Sequence, residues 1–226
     1  MVYNKSLFFT ASLFSVLLFA CSDNSTKADV FDAASVCPES KRGYFTDDRD
    51  GQMYKYTTIG KQVWMAQNLN YALPETSVLE PDSGIQVTPV VRCYEDDNNC
   101  VKNGYLYNWY AAYYSCPNGW HLPSEKEWQT LIKNMGGDEE ANARLRSTSG
   151  WKALNRGENL NGTDDCGFSL APDTASDKYK LFVWTSTDHY DGVGKISVGF
   201  ISYRKDIVFN STEKSIVLLT VRCIKD

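Results

Sequence analysis

The 226-residue chain is 42% hydrophobic and 23% charged, with 6 Trp, 14 Tyr and 10 Phe. That composition excludes a wholly disordered, collagen-like or coiled-coil protein and suits one globular domain with an extra segment at an end. Its 23 basic and 28 acidic side chains give a net charge of −5 with no basic run, which argues against nucleic acid as a partner.

Residues 1–20 read MVYNKSLFFTASLFSVLLFA, with one lysine, Lys5, ahead of an apolar run from Leu7 to Ala20. The run is shorter than the roughly 20 residues a membrane-crossing helix needs, and a short apolar run behind a basic start is the pattern of an export signal peptide. Leu18-Phe19-Ala20-Cys21 resembles a bacterial lipobox. Cleavage before Cys21 is therefore expected, with a diacylglycerol on its thiol and an acyl chain on its new amine. Several such chains hold a protein on a membrane where one would not. Ser22 in place of an aspartate after the cysteine resembles lipoproteins sorted to the outer membrane of Gram-negative bacteria. The polar stretch SDNSTKAD then suits a tether, so residues 21–42 read as a lipid-anchored linker and 43–226 as the domain.

Without Cys21, six cysteines remain: Cys37, Cys93, Cys100, Cys116, Cys166 and Cys223. An even number in an exported chain reads as three disulfides of open connectivity. Cys93 and Cys100 flank the polar segment YEDDNN and are expected to close a local loop. Metal binding is disfavoured, because there is no CxxC pair and no histidine near these cysteines.

From residue 43, aromatic and β-branched residues alternate through GYFTDDRDGQMYKYTTIGKQVWMAQNLNY, the rhythm of short strands with a turn at Asp50-Gly51. Asp47, Asp48 and Asp50 lack the spacing of a calcium loop and read as a solvated turn. Residues 74–92 carry three prolines and one glycine and read as a loop insertion. A helix is expected over 106–113, with residues 106, 109, 110 and 113 on its apolar face. A second follows the capping box Ser124/Glu127, with Trp128, Leu131, Ile132 and Met135 repeating at helical spacing until Gly136-Gly137 ends it. A third, short helix covers Glu139 to Arg146. Strand-like runs return at Lys180–Thr185, Lys195–Ser202, Asp206–Phe209 and Ser215–Cys223. Together these argue for one α+β domain.

Several strings resemble a single family when read in order. They are DDRDGQMYKYTTIGKQVWMAQNLNY at 47–71, the loop from Cys93 to Cys100, and NGYLYNWYAA at 103–112. CPNGWHLPSEKEW at 116–128, LRSTSGW at 145–151, NGTDDCGFSLAP at 161–172, VWTSTD at 183–188 and VRCIKD at 221–226 complete them. In order and spacing they resemble the Fibrobacter succinogenes major paralogous domain over roughly residues 44–226. That family looks like a branch of the C-type-lectin-like folds that includes the formylglycine-generating enzymes. The resemblance implies short twisted antiparallel sheets with two or three helices and many loops. It also implies a disulfide tying the region near the first helices to the last strand, here Cys116–Cys223, which leaves Cys37 with Cys166. His121-Leu122-Pro123-Ser124-Glu125 occupies the place where those enzymes carry a comparable string at the start of a helix.

The enzymatic activity does not follow from this likeness. The formylglycine-generating enzymes hold copper on two nearby cysteines late in the chain, whereas residues 167–226 contain only Cys223. His121 and His189 are lone histidines, and oxidised cysteines are not nucleophiles. Glu125 and Glu127 have a sufficient role at a helix N-terminus. The expectation is therefore a non-enzymatic surface binding or adhesion module for polysaccharide, without cofactor or metal. The alternatives are a structural envelope protein that binds other proteins, or an unrecognised hydrolase. Trp64, Trp109, Trp120, Trp128 and Trp151 read as core. Tyr110, Tyr114, Asp164, Asp188 and Tyr190 are the candidate ligand contacts, with the polar loops 152–166 and 186–194 as the favoured face.

Overall fold

Strand pairing begins where the sequence alternates. The computed structural model describes Met1 and residues 31–226, apart from 75, 77, 82, 94–99, 101–102, 153–159, 173–177 and 191–193. Cys21, the apolar run and the tether up to residue 30 lie outside the described residues. Strands β1 (Arg42–Thr46) and β2 (Met53–Ile59) form an antiparallel hairpin in register Tyr44↔Lys55 and Phe45↔Tyr54. Gly51 takes a φ of +76° in the turn, and its N–H donates to Asp47 O at 2.8 Å. Asp48 and Asp50 are exposed there, but Asp47 is buried rather than solvated. Burial alone would raise its pKa. The two-pronged Arg49 guanidinium, at 2.9 and 2.7 Å, outweighs burial and holds the carboxyl below its ordinary range.

Strand β3 (Gln62–Met65) continues the sheet, which then takes in the chain's last strand before an earlier one. In chain order the next strands are β4 (Val78–Leu79), β5 (Gln86–Val87), β6 (Val91–Arg92), β7 (Leu106–Tyr107) and β8 (Trp120–His121). Then come β9 (Lys180–Asp188), β10 (Gly194–Ile201), β11 (Val208–Glu213) and β12 (Ile224–Lys225). The five-stranded sheet runs β1-β2-β3-β12-β8, and a three-stranded sheet runs β11-β10-β9, both antiparallel. Two further pairs are β4-β5 and β6-β7. The segment expected to be a bare loop insertion, 74–92, therefore holds a small hairpin and an edge strand.

Four α-helices are present among the described residues: α1 (Ala33–Val36), α2 (Trp109–Ser115), α3 (Glu125–Asn134) and α4 (Asp138–Leu145). Helix α3 follows its sequence signals closely. Ser124 and Glu127 form a reciprocal capping box, Trp128, Leu131, Ile132 and Met135 are buried, and Gly137 N–H donates back to Ile132 O. Helix α2 starts three residues later than expected, because Asn108 is committed elsewhere. Its Oδ1 accepts from Ala111 N and Val90 N, and its Nδ2 donates to Thr88 O and Ser215 O. That holds residue 108 extended as the N-cap and leaves Leu106-Tyr107 free to pair as β7.

Residues 215–223 are not the continuous strand that their composition suggests. The segment passes between sheets and bonds to a new partner at each step: Leu219 with Tyr107, Thr220 with Trp184, Val221 with Leu69 and Cys223 with Met65. No partner strand runs alongside for more than one residue, so regular pairing begins only at Ile224.

Two apolar clusters fill the interior. One packs Trp64 against Trp128 and Phe168, with ring centroids 4.8 and 5.8 Å apart, under Leu131, Met135, Val198 and Phe200. The other gathers Tyr54, Met65, Tyr107, Trp109, Trp184 and Val221. Trp120 departs from the expected core role: it is half-buried and stacks on Phe45 at 4.3 Å. Disulfides join Cys37 to Cys166, Cys93 to Cys100 and Cys116 to Cys223. The compact unit runs Phe31–Asp226, so residues 31–41 of the expected linker pack on the domain, with Phe31, Ala33 and Val36 against the first cluster. Among the described residues no helix is long and apolar enough to cross a membrane.

Candidate functional site

The sequence-expected contacts divide into two places. Tyr110 and Tyr114 stand one turn apart on α2, where Tyr110 is buried and Tyr114 donates its hydroxyl to Leu79 O at 2.5 Å. Asp188 lies near the same helix through Lys195. That buried ammonium pairs with the Asp188 carboxylate and sits 3.9 Å over the Trp109 ring. Next to it Lys214 pairs with Glu80, which holds the lysine above its ordinary pKa. Tyr190 is exposed and rests on His189 at 3.9 Å. This face brings aromatic rings and charges together, but each charge is already engaged by a neighbour. Residues 153–159 and 191–193 of the two favoured loops lie outside the described residues.

Asp164 lies apart, in a tight loop at 164–169. Asp164 and Ser169 both take left-handed backbone conformations, φ +51° and +55°, in a chain where every other described residue with positive φ is glycine. The Asp164 carboxylate holds this geometry by accepting from Ser169 N at 2.7 Å and from Ser169 Oγ. Burial pushes its pKa up against those bonds. The loop turns its carbonyls to other segments: Asp165 O to Arg42 Nη2 at 3.0 Å, Cys166 O to Thr57 Oγ1 at 2.7 Å, and Phe168 O and Ser169 O to Arg222 at 2.6 and 3.0 Å. Cys37–Cys166 staples it to the segment before β1.

Arg222 is wholly buried, and every acceptor it meets is neutral: Asn68 Oδ1 at 2.7 Å, Met65 O at 3.2 Å, and the two loop carbonyls. Burial pulls its pKa down to about 9, and Asp164 beyond the loop opposes that fall, so it is cationic at neutral pH. It forms part of the wall of a cleft of about 580 Å³ between the loop and the β1-β2 hairpin. Arg42, Lys55, Tyr44 and Tyr56 line the hairpin side, with the amides of Gln67, Asn68 and Asn103 beyond them. Gly43 permits this arrangement, because a Cβ there would meet the Tyr56 hydroxyl at 2.7 Å. Among the described residues the lining contains three cations and no carboxylate.

His121 has a different setting. Its Nδ1 meets Asp226 at 2.6 Å and its Nε2 meets Glu127 at 2.9 Å, so both ring nitrogens are occupied. Burial would lower its pKa, but the two carboxylates outweigh it and raise the imidazole above its ordinary value. The arrangement ties the C-terminal strand to the capping box of α3. Among the described residues no group of three His, Cys, Asp or Glu is placed to hold a metal ion.

Sequence reasoning did not single out Arg42, Lys55 or Arg222. Lys55 carried the one usable signal: it alternates with Tyr54 and Tyr56, which puts it on the outer face once Tyr54 is core. The family model described as the Fibrobacter succinogenes major domain matches residues 57–225, from within β2 to β12. No curated protein and no solved structure matches.

Proposed function

The chain belongs to the Fibrobacter succinogenes major domain family, and on that premise we propose that it is a lipid-anchored, non-enzymatic binding module of a Gram-negative cell envelope that holds polysaccharide. One observation carries the reading: the open cleft beside the 164–169 loop, which combines tyrosine rings, amides and three cations with no carboxylate in its lining, in a stapled frame. Aromatic faces and amide groups suit sugar rings and hydroxyls, and a rigid frame lowers the ordering cost of binding. Both nitrogens of His121 are bonded to carboxylates, so that imidazole is not poised as a base. A C-type-lectin-like architecture is in keeping with the short antiparallel sheets, the last strand lodged between β3 and β8, and the Cys116–Cys223 link to that strand.

The test uses residues 22–226 with disulfides oxidised, presented to plant cell-wall and bacterial-envelope polysaccharides. Saturable retention that Tyr44→Ala weakens at least about fivefold, roughly 1 kcal/mol, is the expected result. Folded protein retained by no polysaccharide would overturn the reading. The anchor has a separate assay in cells: Cys21→Ser should abolish acyl labelling and leave the precursor uncleaved.

A further inference from the structure

We infer that the cleft between the 164–169 loop and the β1-β2 hairpin is a subsite for the carboxylate of an acidic saccharide, recognised by Arg42 and Lys55 in the field of buried Arg222. The inference rests on the polysaccharide reading above and names the class of sugar.

Charge placement is the first argument. The chain is net negative, and several of its cations pair with carboxylates: Arg49 with Asp47, Arg144 with Glu140, Lys195 with Asp188, Arg204 with Asp206 and Lys214 with Glu80, whereas buried Arg146 bonds backbone carbonyls away from the cleft. The three cations of the cleft have no such partner among the described residues. Arg222 hydrogen-bonds four neutral acceptors, and the carboxylate whose field reaches it, Asp164, lies beyond the loop and is already bonded to Ser169. A carboxylate supplied from outside would complete the site.

Donor geometry is the second. Arg42 gives Nη2 to Asp165 O and Cys37 O, which orients the guanidinium, while its Nε is buried with no hydrogen-bond partner among the described residues. A buried donor left unbonded costs on the order of 1–3 kcal/mol. Nε itself is sealed from solvent, so what Arg42 offers a carboxylate is the part of its side chain that lines the cleft. Gly167 lies behind this group, with φ +64° and a would-be Cβ 3.2 Å from Arg42 Nη1, so its lack of a side chain leaves the guanidinium room.

The third argument separates a sugar acid from a bare anion. Lys55 and Tyr44 face each other across the hairpin, both exposed, and Tyr56 continues the aromatic lip. The Gln67 and Asn103 side chains line the cleft beyond them, while the Asn68 amide is taken by Arg222 and Asn103 O and serves to hold Arg222 in place. The two strained non-glycine residues, Asp164 and Ser169, hold the loop whose carbonyls seat Arg42 and Arg222, the kind of position where strain accompanies function.

The test is calorimetric titration of oxidised residues 22–226 with tri-galacturonate and with its fully methyl-esterified counterpart. The acid should bind at least about tenfold more tightly than the ester, and its affinity should fall as sodium chloride rises, as screening of a charge pair requires. Lys55→Glu should weaken the acid about tenfold, while Lys61→Glu, in the β2-β3 turn outside the cleft, should leave it unchanged. Lys55 is exposed, so thermal unfolding of the variant should match the parent and exclude misfolding. Equal binding of acid and ester, unaffected by Lys55→Glu, would overturn the carboxylate subsite and leave the polysaccharide reading standing. Binding of the acid that Lys55→Glu and Lys61→Glu weaken equally would also overturn the subsite. Failure to bind either saccharide, or any polysaccharide in the wider screen, would overturn both.

Discussion

Removing the Cys37–Cys166 bridge, as Cys37→Ala with Cys166→Ala, should cost far more stability than removing the short Cys93–Cys100 bridge. The bridge spans 129 residues of sequence, against 7 for Cys93–Cys100. Loop-closure entropy gives about 5 kcal/mol for the long bridge and about 2 kcal/mol for the short one. Cys116–Cys223 interleaves with the long bridge and offers no shorter route between residues 37 and 166, so it does not take over the constraint. For a domain of this size the melting temperature should drop by roughly 10–20 °C. Urea unfolding of oxidised protein measures the difference, with the Cys93→Ala, Cys100→Ala pair as internal reference. A loss below about 2 kcal/mol for the long bridge, or one no larger than that of the short bridge, would refute the reasoning.

Ser124→Ala removes the cap that accepts Glu127 N and should cost about 1 kcal/mol in the same assay, because α3 covers the larger apolar cluster. Arg222→Ala strands the carbonyls of Met65, Phe168 and Ser169 in the interior and should cost more than about 3 kcal/mol. The His121 cluster sets a pH window. His121 is raised from 6.5, so its contribution is full below that value and is lost as pH rises through the higher folded value. Burial opposes the shift of Glu127, but bonds from Ser124 and His121 lower it from 4.5, so its contribution is present above that value and lost as pH falls through the lower folded one. The stability gap between the parent and His121→Asn should therefore be widest between about 4.5 and 6.5 and narrow toward pH 9, read by thermal melts across pH. A gap that grows from pH 6 to pH 9 would exclude this assignment.

Local rules located the elements whose causes are local. The capping box, the helical repeat of apolar residues and the paired glycines lie within fourteen residues, 124–137, and α3 follows them. The β1-β2 hairpin likewise follows from alternation around Asp50-Gly51. Where the sequence-level reading departed from the fold, the deciding partner was distant. Asn108 caps α2 while bonding residues 18, 20 and 107 positions away, which no window around 106–113 contains. Ser215–Cys223 has the composition of a strand, but its backbone partners belong to four different segments. Cys93–Cys100 was legible as a local loop seven residues long, whereas the two long-range cysteine pairs were implied by resemblance to a family and could not have come from spacing.

The cleft was less legible than the fold for the same physical reason. Arg42 fell in a stretch read as linker, and it becomes a site residue only because Cys166 is stapled to Cys37 and turns Asp165 O toward it. Arg222 read as part of a terminal strand, yet its side chain bonds Asn68 across 154 positions and Phe168 across 54. Asp164 was singled out as a ligand contact for its polar loop, and the structure gives its carboxylate an internal partner in Ser169. A loop built this way seats Arg42 and Arg222 through its carbonyls, and those side chains carry no local signature. Paired charges can be suspected from i, i+4 spacing on a helix, as with Glu140 and Arg144. Unpaired charges cannot, because being unpaired is a property of everything that surrounds them. Three cations lining one cleft without an ion-pair partner among the described residues are visible only after the whole domain has closed, and for that reason the proposed carboxylate subsite had no counterpart in the sequence.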